Sequence, residues 1–165
     1  MFRFAAMAAL LALAVSFPAS AETRIGVVDL RQALFSSNEA KTFSESLQRD
    51  FADDEAEVRQ AQEAARKLKD RLEKDGAMMN ESERSQLTTE FQEKVKEFNF
   101  LKQRLDSTVA SRKQSFLENA RPNVDNAVQE LLEEHDLDLI LPSEAVVYVK
   151  PEMNLTDELL DKLNR

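Results

Sequence analysis

Apolar residues recur at helical spacing through the middle of the chain, in two stretches separated by a short break. Within each stretch, most follow one another every three, four or seven positions. This spacing places them on one face of an α-helix and approximates a heptad repeat. Because the rest of each helix is polar, neither can bury its apolar stripe alone, so the pattern predicts two helices packed on each other. The stripe residues are Phe43, Leu47, Phe51, Val58, Ala61, Ala65, Leu68 and Leu72 in the first helix, and Leu87, Phe91, Val95, Phe98, Leu105, Val109, Phe116, Ala120, Val124 and Val128 in the second.

The sequence KDGAMMNES separates the two helices. Gly76 can adopt the left-handed conformation that ends many helices, and Asn80 with Glu83 forms a capping pair that starts the next one. We therefore expect an antiparallel helical hairpin over residues 38–134, with its tip at residues 75–81. At ~1.5 Å per residue, its first helix forms an arm roughly 55 Å long.

Short β-branched runs flank this hairpin. IGVVDL at residues 25–30 precedes it, and DLIL at 138–141 and AVVYV at 145–149 follow it. These runs predict three strands, because β-branched residues bounded by turn signals are typical of strands. A last helix is predicted over 156–164, capped by Thr156. The fold class is therefore mainly α with a small β body (α+β), and the arm is inserted into that body.

The predicted body comprises residues 22–37 and 135–165. So short a unit buries too little surface to be stable alone, and open strand edges can be closed by joining copies of the chain. We therefore expect copies of the chain to assemble into a homo-oligomer. Its predicted contact residues are Ile25, Val27, Val28, Leu139, Leu141, Val147 and Val149.

The first 21 residues have the features of a secretory signal peptide. Arg3 precedes an apolar run at residues 4–17, and small residues lead up to Ala21, where we expect cleavage. The alternative is an uncleaved membrane anchor, for which the apolar run is short. The apolar stretch at 137–149 is interrupted by charged residues and proline, so no stable membrane insertion is expected for the rest of the chain.

Charge and composition narrow the classes of function. The chain has 31 acidic and 22 basic residues, giving a net charge of −9, so nucleic acid is not an expected partner. It has no cysteine and no glycine-rich phosphate loop, and its one histidine, His135, lies where a helix is predicted to end. We therefore predict no enzyme, no metal site and no cofactor.

Some apolar side chains lie away from the helical stripe. Phe100 is two residues from Phe98, roughly 200° around the helix, so both cannot face the partner helix. Met78 and Met79 lie at the tip, where flexible thioether side chains suit varied apolar contacts. The alternative is that both methionines cap the hairpin core. We regard Met78, Met79 and Phe100 as candidate binding residues, because exposed apolar groups often mark contact sites.

The two ends of the chain resemble the OmpH family. IGVVDLRQALFSS at the start and LDLILPSEAVVYVKPEMNLTDELLDKLN at the end have the most specific similarity, and the resemblance extends over the whole mature chain. It implies a periplasmic trimer whose helical arms enclose a cavity. The implied activity is an ATP-independent holdase chaperone that keeps unfolded outer-membrane β-barrel proteins soluble until insertion.

Two alternatives remain open from the sequence. One is a structural or tethering coiled-coil protein of the cell envelope. The other is an envelope protein that binds lipid or lipopolysaccharide through the basic residues Lys67, Lys69 and Arg71 on the arm.

Overall fold

The fold is mainly helical, with one small parallel sheet. The computed structural model describes residues 23 to 165, so the predicted signal peptide lies outside the described residues. The predicted α+β class is confirmed. Among the described residues, no helix is long and apolar enough to cross a membrane. The elements are β1 (Ile25–Val28), α1 (Leu30–Ser36), α2 (Asn38–Asp50), α3 (Ala52–Asp75), α4 (Glu81–Glu134), β2 (Leu139–Pro142) and α5 (Thr156–Leu163), with short 3-10 turns at Ser143–Ala145 and Pro151–Met153.

Helices α3 and α4 pack against each other as the predicted hairpin. Ion pairs across the arm show that they run antiparallel: Arg104 is 3.1 Å from both Asp54 and Glu57, and Arg112 is 3.5 Å from Asp50. Every residue of the predicted stripe is buried or half-buried, which confirms the helical spacing.

The sequence predicted one continuous helix for the outgoing half of the arm. The structure instead shows two helices. The outgoing half is interrupted at Phe51, whose backbone has φ −106° and ψ 4°, and whose side chain is buried. Asp53, Asp54 and Glu55 follow in the first turn of α3, where acidic side chains favour a helix start. Stripe spacing does not reveal the interruption, because the buried face stays in phase across it.

The arm tip confirms one predicted cap and corrects the other. The Asn80 side chain accepts a hydrogen bond from the Glu83 N–H (2.9 Å), and the Asn80 N–H donates to the Glu83 carboxylate (3.2 Å). Gly76, however, is right-handed, with φ −56° and ψ −33°. A Cβ on Gly76 would lie 2.3 Å from the carbonyl oxygen of Leu72, so glycine is needed for this close approach.

We expect Gly76→Val to lower the free energy of unfolding by on the order of 1 kcal/mol or more, because the backbone must move away from the Leu72 carbonyl. Thermal melting would measure the loss. Ala77→Val also introduces a valine, at the exposed next position, and is expected to have little effect. Equal losses in the two variants would contradict the steric explanation.

Within residues 23–165, the left-handed residue lies at the other end of α4. Asp136 has φ 50°, and the next N–H, that of Leu137, donates to the carbonyl of Leu132 (2.9 Å). This geometry ends α4 and turns the chain toward β2. Arg24 lies 2.6 Å from the Asp136 carboxylate, which ties this turn to the residue before β1.

Strands β1 and β2 pair in parallel, with Ile25 opposite Leu139. The core beneath them also receives the last turns of α4, which continues through Pro122 without interruption, so the returning helix ends inside the body. The core residues are Val28, Ala33, Ala127, Leu131, Leu155, Leu159 and Leu163.

The predicted third strand at residues 145–149 is wrong for the single chain. A 3-10 turn occupies Ser143–Ala145, and irregular backbone follows it. The second side of β1 is taken by the chain near Asn154, which forms an isolated bridge to Val27. The β-branched residues at 145–149 therefore have no strand beside them within the described chain.

Thr156 does not cap α5 as predicted. Its hydroxyl accepts a hydrogen bond from the Asp29 N–H (2.9 Å) and donates to the Asn154 side-chain oxygen (2.6 Å). This buried threonine therefore joins the start of α5 to the end of β1.

Lys162 holds α5 against α4. Its side chain is almost fully buried, and its ammonium lies 3.0 Å from the Glu130 carboxylate and 2.7 Å from that of Glu134. The hydrogen bond to Lys162 lowers the pKa of Glu134, and the same bond raises the pKa of Lys162.

We expect this pair to contribute stability that is lost at acid pH. A carboxyl whose pKa is lower in the folded state stabilises the fold above its unfolded pKa, and it loses that contribution as the pH falls through the folded pKa. The Lys162 contribution is lost only as the pH rises above the ordinary lysine range. Glu134→Gln should therefore flatten the acid limb of a plot of melting temperature against pH. The effect should be small, because Glu134 is half-exposed.

Glu133→Gln is the matched control, since Glu133 accepts a hydrogen bond from Gln129 and has no lysine partner among the described residues. An equally flattened acid limb in Glu133→Gln would contradict the role of Lys162.

Candidate functional site

Large apolar side chains are exposed at four places on the described chain. These are the arm tip, the side of the arm, the root of the arm and the β body. A soluble helical arm ordinarily exposes polar groups, so these side chains are the candidate contact surfaces. The residues are Met78 at the tip, Phe100 on the arm, Leu30, Phe35 and Leu117 at the root, and Leu139, Val147 and Tyr148 in the body.

The two tip methionines have different environments. Met78 is 82% exposed. Met79 is half-buried and shares a shallow depression with Leu87 and Arg71. The sequence had left open whether the pair binds a partner or closes the hairpin core. The structure gives Met78 a free side chain and places Met79 beside the buried stripe.

Phe100 lies on the outer side of α4. Its side chain is 65% exposed, whereas Phe98 is half-buried and the neighbouring Leu101 is buried. Phe98 and Leu101 face α3 and stabilise the hairpin, so Phe100 is free to contact another molecule. Leu101 was not among the predicted stripe residues, although it follows Phe98 at a helical spacing of three.

The basic residues of α3 are interspersed with acids. Lys67, Lys69 and Arg71 are exposed, but Lys69 lies 3.5 Å from Glu73. Acidic side chains also lie near the other two bases: Lys67 borders a depression that contains Glu90, Glu93 and the base Lys94, and Arg71 borders one that contains Glu83 and Glu90. The arm therefore carries charges of mixed sign here, which is typical of a solvated helix face.

An apolar groove at the root of the arm was not predicted from the sequence. Two adjoining depressions of about 380 and 420 Å³ share Phe35 and Leu117, and we call them together the root groove. Beneath the first, Phe43 and Phe116 stack with ring centroids 4.4 Å apart. The signal was present in the order of residues, since the consecutive Phe116 and Leu117 cannot both face the partner helix. The lining residues are Leu30, Arg31, Leu34, Phe35, Leu117 and Glu144 in one depression, and Phe35, Ala40, Phe43, Ser44, Leu47, Lys113, Phe116 and Leu117 in the other.

The predicted trimer contacts fall into three groups according to their exposure. Val27 and Val28 are buried inside the single chain, where they stabilise the body. Val147 is fully exposed and Leu139 partly so. The remaining three, Ile25, Leu141 and Val149, are half-buried. The exposed group, joined by Tyr148, forms the apolar surface that the body presents to solvent.

No group of His, Cys, Asp and Glu side chains within residues 23–165 is arranged to hold a metal ion. His135 is the C-cap residue of α4, and its Nε2 atom lies 2.7 Å from the Glu158 carboxylate. Its position at the helix end is the one expected from the sequence.

Comparison with known proteins gives concordant matches over nearly the whole described chain. The family model described as "Outer membrane protein (OmpH-like)" matches residues 24–163. The "Skp-like protein" of Pseudomonas aeruginosa is 26% identical over 89% of this chain and 88% of its own length. The "Chaperone protein Skp" of Vibrio cholerae is 24% identical over 86% of this chain and 84% of its own. A solved OmpH-like structure from Caulobacter crescentus CB15 has a TM-score of 0.63 and 19% identity, covering 87% of this chain and 85% of the other, and supports the same fold.

Proposed function

The chain belongs to the OmpH-like family of non-enzymatic chaperones, and we propose that it is an ATP-independent periplasmic holdase for unfolded outer-membrane β-barrel proteins. The proposed location follows from the N-terminal sequence, whose charged start, apolar run and small residues predict export with cleavage after Ala21. No cofactor and no nucleotide are needed. A holdase lowers the free concentration of an aggregation-prone chain by reversible binding to its unfolded state.

The observation that carries this proposal is the spacing of exposed apolar side chains along a charged arm. Met78 at the tip and Phe100 on the side lie at separate points, surrounded by solvated polar residues. Separate small contacts each add little binding energy, on the order of 1 kcal/mol. Many weak contacts would hold an extended apolar client and still release it.

Assembly would bring several arms around one client. We propose a homotrimer formed by the body, with contacts from Leu139, Leu141, Val147 and neighbouring residues. Support comes from the small size of the body and from its exposed apolar surface, which a single chain leaves uncovered. Three arms would then surround a cavity, and the contacts at tip and side would act together on the enclosed chain.

The direct test is to dilute a urea-denatured outer-membrane β-barrel protein into buffer with the mature chaperone and no nucleotide. We expect light scattering to stay low and the barrel protein to remain in the supernatant after centrifugation. An equal concentration of a soluble protein with similar net charge is the control. Aggregation at the same rate with both proteins would refute the holdase proposal.

Two competing functions receive less support. A tethering coiled coil would not need the exposed Met78 and Phe100. A lipid or lipopolysaccharide binder would need a cluster of unopposed bases, whereas Lys69 and its neighbours lie beside acids. The test is a variant in which the charges of Lys67, Lys69 and Arg71 are all reversed. Unchanged lipopolysaccharide binding in this variant would show that these bases do not bind lipopolysaccharide.

The tip methionines provide a separate prediction. We expect Met78→Ser to weaken client capture severalfold and to leave the melting temperature unchanged, because its exposed side chain contributes contact area but no packing. Met79→Ser should lower the melting temperature, because Met79 is half-buried. Ala77→Ser is the surface control. A lower melting temperature for Met78→Ser together with normal capture would assign Met78 to the hairpin core.

A further inference from the structure

The body presents an apolar segment without a partner in its own chain. Val147 is fully exposed and Tyr148 is 80% exposed, although both have large apolar side chains. The N–H of Val146 donates to Ser143, but among the described residues the N–H groups of Val147, Tyr148 and Val149 make no hydrogen bond. A segment with free backbone groups and exposed apolar side chains can pair with another strand when it becomes extended.

The strand edge that is available for such pairing is the free edge of β2, which ends beside the root groove. Strand β2 has β1 on one side and no strand on the other within the described chain. Glu144 follows the end of β2 by two residues and lies on the rim of the root groove. A strand added along this free edge would therefore pass beside the groove.

The groove has the polarity that a tyrosine requires. Leu34, Phe35 and Leu117 supply an apolar lining, while Arg31 and Glu144 stand at the rim. A tyrosine ring has an apolar body and a hydroxyl that needs a polar partner when buried. Tyr148 is the only tyrosine of the chain.

We infer that Tyr148 of one copy occupies the root groove of the next copy. In a single chain both the groove and Tyr148 are open, so neither fills the other. A contact between two different surfaces of identical chains is head-to-tail, and it closes into a ring when the rotation permits. The inference rests on the proposed trimer and specifies which residues of neighbouring copies meet. It also places the root groove in the assembly interface rather than in the client cavity.

Intrinsic fluorescence can test the burial of Tyr148. The chain has no tryptophan, so tyrosine emission reports on this one residue. We expect acrylamide to quench the emission severalfold less in the assembled protein than in a short peptide spanning residues 145–150. Phe35→Ser should restore quenching by opening the groove. Phe100→Ser removes a similarly exposed phenylalanine elsewhere, and quenching should stay low in this variant.

Cross-linking can identify the residues that meet. The chain has no cysteine, so introduced thiols are unique. We would mix Arg31→Cys protein with Val149→Cys protein, let subunits exchange and add a short bis-maleimide. Covalent dimers are expected from the mixture and not from either variant alone. The double variant should give covalent trimers, whereas Arg31→Cys paired with Phe100→Cys should give neither.

Sedimentation of the same samples distinguishes the proposed trimer from the proposed Tyr148 contact. A trimer whose Tyr148 stays quenchable and whose Arg31 and Val149 positions do not cross-link overturns this pairing and leaves the trimer standing. A monomer at all concentrations overturns both. A cross-link from Arg31→Cys that forms to an unfolded barrel protein carrying one cysteine, and not to Val149→Cys, identifies the client as the occupant, and it also overturns the pairing.

Discussion

Leu131→Ala is expected to lower the free energy of unfolding by about 2–5 kcal/mol. Leu131 has no exposed surface and lies in the core that joins the end of α4 to α1, α5 and the sheet. Truncation removes buried methyl groups and leaves a cavity, and a body this small has little other apolar surface to compensate. Denaturant unfolding at one fixed protein concentration would measure the change.

Leu132→Ala is the matched control, because the same side chain at the next position is only half-buried. Leu132→Ala should lower the free energy of unfolding clearly less than Leu131→Ala does. Since the arm enters the body through this turn of α4, Leu131→Ala should also reduce trimer formation and client capture. Similar losses in the two variants would show that burial at Leu131 does not stabilise the junction as we describe.

Phe100→Ser is expected to weaken client binding about tenfold or more and to leave the melting temperature unchanged. A buried phenylalanine contributes ~1.5–3 kcal/mol relative to an exposed one, and ~1.4 kcal/mol corresponds to a tenfold change in affinity. In a trimer the substitution removes three rings at once. Because the ring is largely exposed in the free chain, its loss should cost the hairpin little.

Phe98→Ser serves as the contrasting variant, because Phe98 is half-buried against the other helix. It should lower the melting temperature, with any loss of binding following from the weakened arm. Binding of an unfolded barrel protein is measured by fluorescence anisotropy of a labelled client, with melting measured on the same samples. Normal affinity in Phe100→Ser would show that the client contacts lie elsewhere on the arm.

Local patterns in the sequence predicted much of this fold. The buried stripe and the Asn80 cap depend on residues three or four apart, so their physical causes lie within one helical turn. The fate of residues 145–149 depends instead on whether a neighbouring strand exists. Strand-forming residues cannot supply that neighbour, so the third strand was predicted where one chain has none. The prediction of a left-handed Gly76 was wrong, because the glycine is required by a close approach to the Leu72 carbonyl that spacing does not reveal.

The candidate contact residues were predicted unevenly for a similar reason. Phe100 was identified because two aromatic residues two positions apart must face different sides of a helix. Leu30 and Phe35 were missed, because α1 is short and its exposure depends on how α4 crosses it at the root. Tyr148 was passed over within a segment treated as a strand. Surfaces built from distant parts of the chain require the tertiary structure.

The unbroken course of α4 has a mechanical consequence. A helix of 54 residues, roughly 80 Å long, connects the tip directly to the buried Leu131, whereas the opposite side of the arm is interrupted at Phe51. One side of the arm is therefore a continuous helix, and the other side is interrupted. A pull by a client at the tip would act as torque on the junction at Leu131. The capacity of the arms to widen around a larger client would then be set near their base rather than at their tips.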